Sequence, residues 1–271
     1  NRVTNNTISL DNSGTDNYGI YIFRSSYNLV TNNTVSTNGT SNNWGIYLAS
    51  ISDKNNITYN SIYTSGTSTN YGIYATGTSN GHLINHNTII SNSTVDNNYG
   101  IYLSNPSLYN NISHNTITTY GANTNAGIYI DGTTEDTLAL NWIENNTVRT
   151  FGSARDNYGI FINRQSQNVL FRNSFFTNGT AINYGIYLRL KSNRNNITSN
   201  QISTNGSSSY GLFLVDSDNT LLEKNNFSNV AEWIYSDSTS DFTNMTETIF
   251  ETVHGKIFFL DSKTLSRSEN Y

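Results

Sequence analysis

Residues 17–22 read Asn-Tyr-Gly-Ile-Tyr-Ile, and the phrase returns along the chain as NWGIYL, NYGIYA, NYGIYL, NAGIYI, NYGIFI, NYGIYL and SYGLFL. Its glycines fall at Gly19, Gly45, Gly72, Gly100, Gly127, Gly159, Gly185 and Gly211, in steps of 26, 27, 28, 27, 32, 26 and 26 residues. A second phrase, apolar-x-x-Asn-x-apolar, keeps the same period, from Val3/Asn6/Ile8 through Ile57/Asn60/Ile62 to Leu222/Asn225/Phe227. Self-similarity at a fixed period marks a solenoid, in which one unit cannot bury its apolar face alone and must stack on its neighbours.

Within each unit, short β-rich runs of period two alternate with Asn, Gly, Ser and Thr, and no stretch carries a sustained helical period. Composition points the same way. The 271 residues include 47 Asn and one Pro, with only 12% charged residues against roughly 25% in an ordinary soluble domain. Asn disfavours helix and suits turns, while an aromatic content of 13% argues against disorder. A net charge of -5 without a basic stripe speaks against nucleic acid, and no run of about 18 apolar residues offers a membrane span. The absence of Cys excludes a disulfide framework or thiolate metal site but says nothing against secretion. A period of about 27 residues leaves room for three strands and three turns, so nine coils stacked at about 4.8 Å extend about 40 Å.

The two phrases resemble the right-handed parallel β-helix repeats of the pectate-lyase-like superfamily, especially its Asn-rich, NosD-like repeat proteins. The resemblance covers residues 1–235 and implies an all-β, single-stranded right-handed parallel β-helix of about nine coils with three strands per coil. Residues 236–271, where the pattern weakens, are expected to form a C-terminal cap or the start of a following domain. The chain starts in mid-coil, so neighbouring sequence or a subunit is expected to cover that edge. The superfamily includes lyases, hydrolases, epimerases, adhesins and surface-layer components, so its activity must be sought in individual columns of equivalent positions.

The position after each motif Gly is Ile or Leu, and the position two further on is apolar in every copy. Both are expected to face the core. Strand alternation then turns the residue between them outward, as the column Tyr21, Tyr47, Tyr74, Tyr102, Tyr129, Phe161, Tyr187 and Phe213. These rings are the candidates for contact with a carbohydrate or a protein partner; the plainer reading is a stack that stabilises the sheet. Three Asn columns, begun by Asn6, Asn17 and Asn28, are expected to form amide ladders at the corners, where Asn also tolerates left-handed backbone. The glycines at Gly39, Gly66, Gly121, Gly152, Gly179 and Gly206 suggest another turn.

Polysaccharide cleavage calls for paired carboxylates, and uronate elimination for a base with charge neutralisation. The outward columns hold Thr, Ser, Asn and Tyr instead, so no catalytic residue, metal site or cofactor is assigned. His86 and His114 are expected on adjacent coils without an accompanying carboxylate column, which leaves metal coordination incomplete. Glu135 and Asp136, in the longest step of the repeat, have no recognisable partner and are expected in a solvated loop. Arg24 and Arg164 share a column but lie five coils apart.

Among many Asn-x-Ser/Thr sequons, Asn38, Asn92, Asn178 and Asn205 share one position beside a turn, and Asn56, Asn111 and Asn196 share another. Both sets are candidates for N-glycosylation. The expected function is that of a secreted or cell-surface structural β-helix of adhesin, sheath or surface-layer type, glycosylated and associating with copies of itself or other surface proteins. The alternative is a polysaccharide-binding module or processing enzyme that uses the outward Tyr face.

Overall fold

The structure, a computed structural model, describes residues 1–105, 107–251 and 257–259. It is an all-β right-handed parallel solenoid of about nine turns, and every strand pairing within it is parallel. Each coil carries a short strand in a ten-stranded first sheet, begun by Arg2–Thr4, then strands in the two faces of one continuous 19-stranded sheet, a second sheet face begun by Thr7–Asp11 and a third begun by Thr15–Phe23. In the next coil a single strand, Thr34–Ala49, runs through the bend between the second and third sheets. The register keeps the columns read from the sequence, with Val3 opposite Val30, Ile8 opposite Val35 and Tyr21 opposite Tyr47.

The interior is one continuous file of Ile, Leu and Val with a few Phe, and most of its members are closed to solvent. Burying each of these side chains contributes about 1.5–3 kcal/mol, and the file is also why the coil spacing stays constant: each branched side chain packs on its copies above and below.

The corners share one construction. A residue in left-handed backbone is followed by a buried Asn whose side chain joins a ladder. Between the first and second sheets the left-handed residues are Asn5, Asn32, Tyr59, His86, His114, Asn145, Arg172, Ser199 and Lys224. The sequence reading placed that conformation on the ladder Asn itself; it falls one residue earlier, where the side chain points away and its type is free. The Asn that follows is spent on hydrogen bonds. Asn60 donates its backbone N–H and its Nδ2 to Oδ1 of Asn87, both at 3.0 Å, and Nδ2 also donates to the carbonyls of Val30 and Thr58. Links of this kind run without a break from Asn6 to Asn225. A left-handed non-glycine residue costs roughly 1–2 kcal/mol, and the ladder's bonds offset it.

The ladder between the third and first sheets runs Asn28, Asn55, His82, Asn110, Asn141, Asn168 and Asn195. His82 fills a rung that the Asn pattern of the sequence leaves vacant. It is 1% exposed, its Nδ1 accepts from the Asn55 N–H at 3.2 Å, and its Nε2 has no partner. Burial pushes its pKa down to about 4.

Neither glycine column marks a left-handed turn. A Cβ on Gly72 would lie 2.2 Å from Cγ2 of Ile89 and 2.6 Å from the Gly100 carbonyl oxygen, so the motif glycine makes room for the core side chain of the next coil. That bend puts Gly19 and Ile20 both inward and leaves Tyr18 and Tyr21 both outward. At Gly39 a Cβ would sit 2.2 Å from the ladder amide of Asn17, so this second column, read as a turn, is a clearance for the third Asn ladder.

Past residue 235 the parallel ladder continues. Phe242–Thr246, Ile249–Glu251 and Ile257–Phe259 pair with Thr220–Glu223, Asn226–Ser228 and Glu232–Ser236. The rest of the expected cap, residues 252–256 and 260–271, lies outside the described residues.

Two outcomes follow. Gly72→Ala is expected to lower stability by about 1–3 kcal/mol in urea unfolding, while Gly14→Ala, whose Cβ would meet only the Asn12 side chain at 3.3 Å, is expected to be near neutral. His82 is held neutral in the folded state, so its contribution is full above the unfolded pKa of about 6.5 and is lost as pH falls toward 4. Unfolding curves at pH 7 and pH 4 should therefore show His82→Asn relieving about 3 kcal/mol of acid destabilisation; equal pH dependence in parent and variant would refute the assignment.

Candidate functional site

The outward face of the third sheet carries two aromatic rows. The row predicted from the sequence, Tyr21 to Phe213, is joined by a second that the alternation argument missed: Tyr18, Trp44, Tyr71, Tyr99, Tyr158, Tyr184 and Tyr210. Strict alternation would have put Tyr18 and Tyr21 on opposite faces; the glycine bend between them puts both outside. Within a row, rings stack at strand spacing, as in Tyr71 on Tyr99 at 4.9 Å and Tyr74 on Tyr102 at 4.9 Å. Between rows they meet edge to face, as in Tyr99 and Tyr102 at 5.3 Å and 75°. Both are favoured quadrupole geometries. Where Ala126 interrupts the second row, Tyr129 leans over and stacks on Tyr99 at 4.5 Å.

Packing of this kind removes most of the rings from solvent. Of the predicted column, Tyr21 is 51% exposed, Tyr47, Tyr74, Tyr102, Tyr129, Tyr187 and Phe213 are half-buried, and Phe161 is 4% exposed, so Phe161 is not available as an outward contact. Burial raises the hydroxyl pKa values, that of Tyr47 and that of Tyr129 to about 12, and holds those of Tyr71, Tyr99 and Tyr158 higher still. These phenols are therefore neutral hydrogen-bond donors rather than bases.

Beside the rings, the next outward column runs Ser104, Asp131, Asn163 and Arg189 in register. Asp131 accepts from Asn163 Nδ2 at 2.8 Å and lies 3.4 Å from Arg164 Nη1. Burial raises the Asp131 pKa, against the opposing pull of Asn163, Arg164 and Arg189. The four extra residues of the longest repeat step flank this patch. They add a two-stranded ladder, Thr137–Leu138 on Gln165–Ser166. Glu135 and Asp136, read as partnerless, are paired: Lys191 Nζ reaches Glu135 at 2.6 Å, and Arg194 Nη2 donates to both Asp136 oxygens at 2.9 and 3.0 Å. These partners stand 56 and 58 residues further on, a separation the sequence does not connect. Arg24 stays apart, against Phe23.

His86 and His114 do adjoin, stacked at 4.8 Å, and Tyr59 extends the stack. Among the described residues, no group of three or more His, Asp or Glu gathers as metal ligands.

Of the sequon residues on the second sheet, Asn38 and Asn205 are exposed and Asn92 and Asn178 half-buried. Asn56, Asn111 and Asn196 on the first sheet are half-buried, and the Oδ1 atoms of Asn56 and Asn111 are closed off without a partner.

The right-handed β-helix region family matches residues 1–117 and 109–270, and the chain belongs to that family. Among solved structures it is similar to the A-module of mannuronan C-5 epimerase AlgE4 from Azotobacter vinelandii, at 11% identity over 93% of this chain and 88% of that one, with a TM-score of 0.44. It is also similar to the surface protein and adhesin PfbA of Streptococcus pneumoniae, at 13% identity over 94% and 66%, TM-score 0.40. A third is the endo-xylogalacturonan hydrolase of Aspergillus tubingensis, at 10% identity over 96% and 89%, TM-score 0.34. No curated protein sequence matches.

Tyr99→Ala, which opens a gap in the buried row, is expected to cost about 3 kcal/mol in urea unfolding, whereas Tyr21→Ala at the exposed end is expected to cost less than about 1 kcal/mol.

Proposed function

We propose that the chain is a structural β-helix of the secreted or cell-surface type, a sheath, adhesin or surface-layer component that is N-glycosylated and associates with copies of itself. The observation that carries this reading is that its chemically able outward groups are engaged with one another. Tyr rings stack on Tyr rings, and the carboxylates of the longest repeat step are held by Lys191 and Arg194. A surface built this way resists change rather than turning over substrate. Self-association is favoured by apolar residues on the outer side of the first sheet, where Leu29, Leu83, Trp142, Val169 and Leu221 share one register column with Asn56, Asn111 and Asn196. Extracellular placement fits a surface whose polarity comes from amides and hydroxyls, with sequons turned to solvent at Asn38 and Asn205.

A second reading has one specific support. Asn163 Oδ1 is buried without a partner beside Asp131, and the half-buried rings of Tyr129 and Tyr187 lie in the adjacent column, so sugar hydroxyls and a sugar face would find complementary groups there. The purified chain is expected to form filaments or sheets, seen by electron microscopy, and to leave a panel of neutral and acidic polysaccharides uncut. Turnover of any of them that is abolished in Asp131→Ala would overturn the structural reading in favour of the second.

A further inference from the structure

Asn178 differs from the other sequon residues in what surrounds it. It closes the strand Ser174–Asn178, with Phe176 two residues before it on the same face. In register it lies opposite Phe151 of the preceding coil and Asn205 of the following one. Tyr120 stacks on Phe151 at 5.2 Å, and Phe151 meets Phe176 at 5.8 Å and 56°, so Asn178 has Phe151 beside it on the preceding coil, with Tyr120 one coil further back. A shallow groove of about 440 Å³ opens there, lined by Tyr120, Phe151, Ser153, Asn178 and Thr180 over a floor of Gly121, Gly152 and Gly179. Those glycines are bare because the third Asn ladder runs beneath them.

The amide nitrogens differ too. Asn38 Nδ2 donates to Asp11 at 2.8 Å, and Asn205 Nδ2 donates to Asn178 Oδ1 at 3.3 Å. The latter bond uses the oxygen of Asn178, not the nitrogen that would carry a sugar. Asn92 has one ring beside it, Tyr120, while Asn38 stands between Asp11 and Ser65.

We propose that Asn178 is the preferred N-glycan acceptor of this chain and that its first sugar ring lies on Phe151, with Tyr120 beyond it, inside the groove. The inference rests on the glycosylated-surface reading above. In the transfer, Asn178 Nδ2 attacks the anomeric carbon of a lipid-pyrophosphate-linked oligosaccharide. A C–N bond forms, the C–O bond to the pyrophosphate breaks, the lipid pyrophosphate leaves with the electron pair, and one amide proton passes to a base of the transferase. The apolar C–H face of the pyranose then covers the rings, while its hydroxyls face solvent. Asn205, one strand away at about 4.8 Å, is too close to carry a second glycan at the same time.

The test passes the full chain, behind a cleavable leader, through the secretory route of a glycosylating eukaryotic cell and maps site occupancy by glycopeptide mass spectrometry. Asn178 is expected to show the highest occupancy, Asn178→Gln to raise occupancy at Asn205, and Phe151→Ser with Tyr120→Ser to cut Asn178 occupancy several-fold. After trimming to a single N-acetylhexosamine, thermal unfolding should show a glycan-dependent gain in the parent and none in the double Ser variant. Occupancy of Asn38 or Asn205 with Asn178 empty would overturn the proposal while leaving the glycosylated surface intact, as would Ser variants with unchanged occupancy and gain. If every sequon stays empty, the glycosylated-surface reading falls and the proposal with it.

Discussion

The buried Asn side chain at each corner is the interaction on which the rest depends. A coil that turns three times in about 27 residues must bend its backbone sharply at each corner, and the bend leaves N–H and carbonyl groups that no strand partner can reach. The carboxamide supplies what is missing in one group, accepting on Oδ1 from the coil before it and donating from Nδ2 to the coil after it and to nearby carbonyls. An unpaired buried amide costs about 1–3 kcal/mol, so a single break in the file is felt by two coils at once. That shared penalty holds the coils in register and keeps the period nearly constant.

Once the ladders occupy the corners, much else is determined by the space they leave. Glycine is required at Gly39 and its equivalents because an Asn amide lies where a Cβ would go, and at Gly19 and its equivalents because a core Val, Ile or Phe does. The second of these bends has a consequence for the surface, since it turns Tyr18 and Tyr21 the same way and converts one aromatic column into two interlocked rows. The same packing logic tolerates exceptions. His82 serves as a ladder rung through Nδ1, and Tyr129 leans into the gap left by Ala126.

Legibility varied with how far apart the interacting residues lie. Core file, ladders and coil period were readable because each is a repetition within the 26 to 32 residues of one step, and repetition is a property of the string. The second aromatic row was present in the string as well, as the residue before each motif Gly, but strand alternation misdirected the reading, because a bend that places two consecutive residues inward shifts the parity. The ion pairs of Glu135 and Asp136 had no signal at all. Their partners sit two coils away, and a single Lys191 or Arg194 leaves no repeated mark.

What the sequence by itself determined is therefore the solenoid: its parallel strands, its corners, its core and the outward direction of Tyr21, Tyr47 and their copies. All follow from short-range pattern and from the need to satisfy buried backbone. Only the tertiary structure decided how open those outward rings are, which charges meet, and which sequon lies among aromatic rings. Exposure, ion pairing and grooves depend on the side chains that neighbouring coils bring together across the stack. Their identities vary from coil to coil even though the backbone that presents them does not.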